Sequence, residues 1–210
     1  MPITTPQRPS PRSTDAGYRA SHDSVSNPSD RRLFPGWRWV AVAVAFPVAG
    51  LIGWTIGGEV DAVRPALVGG ALTGAGLGAV QWWAAKGMFG RAAAWISVSA
   101  AGYAAGLAAG AALVGYDTDL GSLATMGLVS GAVLGTAQGF ALSRQGKRRL
   151  AVAWGAGMPV LFAIGWSVTT LGGIDVDQQF TVFGAYGAVV FMLLSGLLLA
   201  RFMSARERVP

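Results

Sequence analysis

Between residues 36 and 202, every Asp, Glu, Lys and Arg falls outside six long apolar stretches or at their edges. The stretches cover about 36–58, 65–85, 92–115, 121–143, 150–173 and 180–202. A hydrocarbon core about 30 Å thick takes roughly 20 helical residues to cross, and a charge placed inside it is costly. Apolar runs of this length, cleared of charge, predict an all-α integral membrane protein with six transmembrane helices. Composition agrees: the 210 residues are 52% hydrophobic and 12% charged, about half the charge of an ordinary soluble domain.

The loops carry a second regularity. Three acidic pairs, Glu59/Asp61, Asp117/Asp119 and Asp175/Asp177, recur at intervals of 58 residues. Each lies between two apolar stretches, so the spacing predicts three tandem helical hairpins at about 36–85, 92–143 and 150–202. Gly70, Gly74, Gly78 and Gln81 in the second stretch are matched at an offset of 57 by Gly127, Gly131, Gly135 and Gln138 in the fourth. Steps of four and three keep side chains on one helix face. Gly102, Gly106 and Gly110 form a similar stripe in the third stretch. Small residues let helix backbones approach where lipid supplies no hydrophobic drive, so these glycines are candidate packing positions. The two glutamines either bond across helices or line a polar pocket, and the first reading is the more economical. The third hairpin departs from the pattern: Gly184 is followed by Ala188, Met192 and Ser195, so the last helix should pack differently. Pro47 and Pro159 predict kinks in odd-numbered helices.

Charge sets the orientation. Arg8, Arg12, Arg19, Arg31, Arg32 and Arg38 precede or open the first stretch. Lys86, Arg91, Arg144, Lys147, Arg148, Arg149, Arg201, Arg206 and Arg208 fall in the alternate inner segments. The opposite loops hold the acidic pairs and Arg64. By the positive-inside rule both termini are cytoplasmic. Residues 1–35, rich in Pro, Ser, Thr and Arg, read as a disordered cytoplasmic tail, and 203–210 as a short cytoplasmic C-terminal tail. Asp30-Arg31-Arg32-Leu33-Phe34 faintly suggests a twin-arginine signal, but the stretch after it is long for an export signal, so anchoring cations before a first span are the preferred reading. Trp37, Trp39, Trp82, Trp83, Trp95 and Trp154 fall near the inner ends, where indole is expected to sit at headgroup level.

The chemistry on offer is narrow. There is no cysteine, which removes thiol catalysis, disulfides and thiolate metal sites. The one histidine, His22, is in the tail, so a metal or haem at mid-membrane would lack its usual ligand. No cofactor and no metal are expected. The hydroxyls Ser97, Ser99, Thr136, Ser167, Thr169 and Thr170 have no His or Lys beside them, so no enzyme is expected. The basic excess is absorbed by topology and does not point to nucleic acid. The six acids could form a cation-attracting ring at an outer vestibule; the simpler reading is that they keep these loops outside and solvated.

The run Gly74-Ala-Gly-Leu-Gly-Ala-Val-Gln-Trp82, with a basic loop leading to Trp95, resembles a group of functionally uncharacterised bacterial six-span membrane proteins whose glycine-rich hairpins end in Gln-Trp. The resemblance covers about 36–202 and implies no activity. Three tandem hairpins are also similar in outline to mitochondrial carriers, whose Pro-x-acid-x-x-base signature this chain lacks. Fourteen arginines against two lysines suggest a GC-rich bacterial source. The expectation is a non-catalytic protein of the bacterial cytoplasmic membrane: an accessory, scaffold or assembly subunit with a lipid environment and a membrane-protein partner or a second copy. The alternative is a small transporter or channel using Gln81 and Gln138 inside and the acidic ring outside.

Overall fold

The computed structural model describes residues 36–85 and 88–206, with side chains to Phe202. The expected disorder of residues 1–35 lies outside this range. The described residues are helical and contain no strand. A 3-10 turn, Trp37–Trp39, leads into α1 (Val40–Gly57), followed by α2 (Val63–Ala84), α3 (Ala92–Leu113), α4 (Leu120–Arg144), α5 (Arg148–Leu171) and α6 (Ala185–Arg206). All six are long and apolar enough to cross a membrane. A helix satisfies its own backbone, which a bilayer interior demands. Pro47 and Pro159 both lie inside continuous helices.

Each helix lies against its neighbours in sequence, and α6 returns to α1, so the six close a ring. The connections force this order. Between α4 and α5 there are only Gln145, Gly146 and Lys147, and Gly146 turns the chain at φ 76°. A link this short requires antiparallel neighbours. At the other end Asp119 caps α4, its carboxylate accepting from the backbone N–H of Gly121 and Ser122.

Large side chains come mainly from the odd helices and small ones from the even. A Cβ added at Gly74 of α2 would lie 2.5 Å from the Ser99 carbonyl oxygen of α3. At Gly131 of α4 it would lie 2.5 Å from the Met158 carbonyl oxygen of α5. Gly70 and Gly78 likewise face α3, Gly127 and Gly135 face α5, and Gly102, Gly106 and Gly110 of α3 face α4. These glycines are therefore engaged within one chain, with backbone against backbone. Trp39, Trp95 and Trp154 then fill the middle of the basic end, and Phe46, Tyr103 and Phe162 the level beyond it, all fully buried.

Two expectations require correction. The last helix starts at Ala185, not at 180; residues 180–184 belong to the non-helical segment after α5, and Gly184 precedes α6 rather than forming part of it. The residue that brings α6 onto the α5 backbone is Gly187, which meets the Gly165 carbonyl. Trp39, Trp95 and Trp154 lie near the basic end as expected, but their rings face the bundle interior instead of its lipid-facing surface, each packed on the others or on Phe89. Trp37 and Trp83 do lie exposed, with the Arg38 guanidinium 5.0 Å from the Trp83 ring centre.

Candidate functional site: a re-entrant segment and its hydroxyl clamp

The segment between α5 and α6 is the least regular part of the bundle and the most connected. The Thr181 hydroxyl donates to the Gly50 carbonyl at 3.0 Å and sits 2.9 Å from the Thr73 hydroxyl. The Tyr103 hydroxyl donates to the Thr181 carbonyl at 2.6 Å. Gly50 lies seven residues before the end of α1, so this clamp sits about 10 Å below the acidic end at 1.5 Å per residue. Non-helical backbone at that depth is tolerated only when protein surrounds it. Thr181, Val182 and Phe183 are indeed buried, and Phe183 stacks on Phe46 with centroids 4.7 Å apart.

Nearer the surface the same segment ties the loops together. The Val60 N–H donates to the Gln179 carbonyl at 3.0 Å, the Gln179 amide donates to the Tyr116 carbonyl at 3.0 Å, and the Trp54 indole to the Gln178 carbonyl at 3.0 Å. The six acids, Glu59, Asp61, Asp117, Asp119, Asp175 and Asp177, are all exposed. In two of the pairs the residue between turns inward, Val60 and Val176 both being buried; Thr118 is half-buried, and its hydroxyl donates to the exposed Asp177 at 2.9 Å. The two valines make the packing contact while the acids on either side stay in solvent. Among the described residues no three acids or histidines gather to hold a metal. The Ser122 hydroxyl and then the Ser122 and Gly121 amides hold the Asp119 carboxyl below the usual range.

The two glutamines meet at the basic end. The Gln138 amide donates to the Gln81 side-chain oxygen at 3.2 Å and to the Ser99 hydroxyl at 2.8 Å, while its own oxygen accepts from the Trp154 indole at 2.7 Å. Both are buried. In the last hairpin the hydroxyl of Ser195 takes the corresponding place, accepting from the Trp39 indole at 3.3 Å; that N–H also lies 3.1 Å from the Met192 carbonyl. Phe89 closes this end, stacked on Trp95 at 4.0 Å, with its carbonyl accepting from the Gln145 amide at 3.0 Å. Lys147 bonds the Met88 carbonyl beside it.

Chemically these groups clamp. The Thr73, Thr181 and Tyr103 hydroxyls are committed to carbonyls or to one another, and Ser99, Ser167, Thr169 and Thr170 bond back to the preceding helical turn. Such back-bonding is the ordinary fate of a hydroxyl in an apolar helix. Thr73, Tyr103 and Thr181 are the site residues that sequence reasoning missed. The available signal was a polar group deep in an apolar run, which in a membrane is costly to leave without a partner.

Searches of protein-family models, curated proteins and solved structures return no match to this chain.

Proposed function

We propose that this chain is a non-catalytic multipass protein of the bacterial cytoplasmic membrane that serves as an accessory, scaffold or assembly subunit. The supporting observation is the filled interior. Aromatic side chains from α1, α3 and α5 occupy the middle of the ring, Phe89 closes the basic end, and the clamped segment around Thr181 closes the acidic end. A bundle built this way is a rigid body that presents its outer faces to lipid and to other proteins, rather than a path through itself. In this reading the basic end faces the cytoplasm and the acidic pairs face out, and the three hairpins descend from one duplicated unit.

Two experiments bear on it. Reconstituted alone in liposomes, the protein should leave cation and small-solute flux at the level of empty vesicles; flux that falls when the six acids are changed to Asn and Gln would establish the channel reading instead. Because the chain has no cysteine, single cysteines at Glu59, Asp117 and Gln145 can be labelled in intact cells without further engineering. An impermeant thiol reagent should modify the first two and spare the third.

A further inference from the structure

The 3-10 turn that opens the bundle sends consecutive side chains in different directions, as its tight winding requires. Trp39 goes inward and is fully buried, Trp37 goes outward and is 75% exposed, and Arg38 is half-buried between them. Trp83, one residue before the end of α2, meets this turn from the side. The Trp37 and Trp83 rings stand edge to face, with centroids 6.1 Å apart and planes at 78°. The Arg38 guanidinium carbon lies 5.0 Å from the Trp83 ring centre and 6.0 Å from that of Trp37. A guanidinium beside an indole face is held electrostatically and by stacking, so two exposed rings from separate elements fix one cation at the surface.

That cation has hydrogen-bonding capacity left over. Its N–H donors meet no carboxylate and no other acceptor among the described residues. Between residues 36 and 202 all the acids stand in the loops at the other end of the helices, so no carboxylate of the bundle neutralises it. Val40, two residues on, is 50% exposed and begins the apolar span, which puts Arg38 at the edge of the hydrocarbon. The anions at that level are the phosphates of lipid headgroups, and a guanidinium matches a phosphate bidentately. The loop after Trp83 carries Lys86 and Arg91 and no acid, so a headgroup ammonium meets only like charge there. Such a site selects a phospholipid of net negative charge over a zwitterionic one.

We propose that Arg38, clasped by Trp37 and Trp83, is a binding site for the phosphate of an anionic phospholipid in the leaflet at the basic end. The next hairpin supplies an internal comparison. Phe140, which matches Trp83 at the offset of 57, is also exposed and carries the Arg144 guanidinium 5.3 Å from its ring centre. Those two residues are spaced i, i+4 on a single helix, where contact follows from helix geometry alone, and the arginine rests on one ring instead of two. The proposal rests on membrane insertion and does not need the accessory-subunit reading; a protein found to conduct would leave the test below unchanged.

The test titrates the full chain in detergent micelles with phosphatidylglycerol or with phosphatidylcholine of the same acyl chains. Native mass spectrometry quantifies the first lipid bound. The unmodified protein should bind the anionic lipid about tenfold more tightly, the change that one charge-assisted hydrogen bond makes in an equilibrium. Arg38→Gln should bring the two lipids within about twofold of each other. Arg144→Gln, which removes an equal charge at the same end, should leave the preference intact. Trp83→Leu keeps every charge and should still lower the preference about threefold, the scale of one exposed cation–π contact. A phosphatidylglycerol with a photoactivatable headgroup, applied to the unmodified protein in nanodiscs, should label residues 37–40 and 83 several-fold more than 140 and 144. That readout does not depend on how well a variant folds. Equal affinities of the two lipids for the unmodified protein, a preference that survives Arg38→Gln or falls equally in Arg144→Gln, or even labelling of the two pairs, would overturn the site. An undiminished preference in Trp83→Leu would overturn the role of the aromatic clasp.

Discussion

The seam between α4 and α5 and the seam between α6 and α1 are built in opposite ways. In the first, glycines at 127, 131 and 135 bring two backbones into contact, and Gln138 reaches across to Trp154. In the second, Ala188, Met192 and Ser195 stand at the corresponding offsets, and α6 touches α1 far more sparsely. The difference shows what the glycine faces accomplish. Where they are present the helices form a wall without gaps. Where they are absent, towards the acidic end, the space is taken by the re-entrant segment and by a cavity of about 270 Å³.

Side-chain volume should break the comparison first. A methyl at Gly131 meets the Met158 carbonyl and the Pro159 backbone at 2.5 and 2.7 Å, neither of which can rotate away. Gly131→Ala should therefore destabilise the protein by about 2 kcal/mol, the scale of overpacking. At Gly157, the nearest atom to an added methyl is the flexible end of Leu198 at 3.4 Å. Gly157→Ala should be neutral or stabilising by up to about 1 kcal/mol through helix propensity. Reversible unfolding in mixed micelles measures both, and equal effects would remove the distinction between the glycine-packed α4–α5 seam and the looser contact of α5 with α6.

The next effect is polar. Gln138→Leu strands the Trp154 N–H and deprives Gln81 and Ser99 of a donor, so it should cost about 1–2 kcal/mol. Ser195→Ala should cost less than about 0.5 kcal/mol, because Trp39 keeps the Met192 carbonyl. Tyr103→Phe leaves the Thr181 carbonyl without its buried donor. It should cost about 1 kcal/mol and speed amide exchange in residues 180–184 while leaving α4 and α5 protected.

The smallest effect lies at the solvent. The Asp119 carboxyl titrates below its unfolded value of about 3.9, chiefly because the Ser122 hydroxyl bonds to it. Its contribution to stability is complete above that unfolded value and is lost as pH falls through the lower folded one. The amide resonances of Gly121 and Ser122 should hold steady through the ordinary aspartate range and move together only below it. Asp119→Asn should abolish that acid limb while keeping the cap.

The six helices were legible because a bilayer leaves a coarse record: long apolar runs with charges at their ends. Four of the six starts fall within two residues of expectation, and α1 begins four residues after 36, behind the 3-10 turn at Trp37–Trp39. The sixth was hidden because Phe180, Thr181, Val182 and Phe183 are as apolar as a helix start. Only tertiary bonds from Gly50, Thr73 and Tyr103 reveal that this stretch enters without being helical. The glycine faces were visible as stripes, but sequence does not say which helix each one meets. The tryptophans misled for a physical reason: indole suits both a wet interface and a packed aromatic interior, and position along the span does not separate the two. At the acidic loops the conspicuous carboxylates drew notice, whereas Val60 and Val176 between them are the residues that pack.

Native mass spectrometry of the tagged chain, extracted gently from its own membranes, tests the accessory-subunit account most directly. The account predicts a second membrane protein bound at fixed stoichiometry, retained when lipid is stripped by activation in the gas phase. A bare chain, or a homo-oligomer carrying a specific ion or small solute, would contradict it and assign the protein to transport.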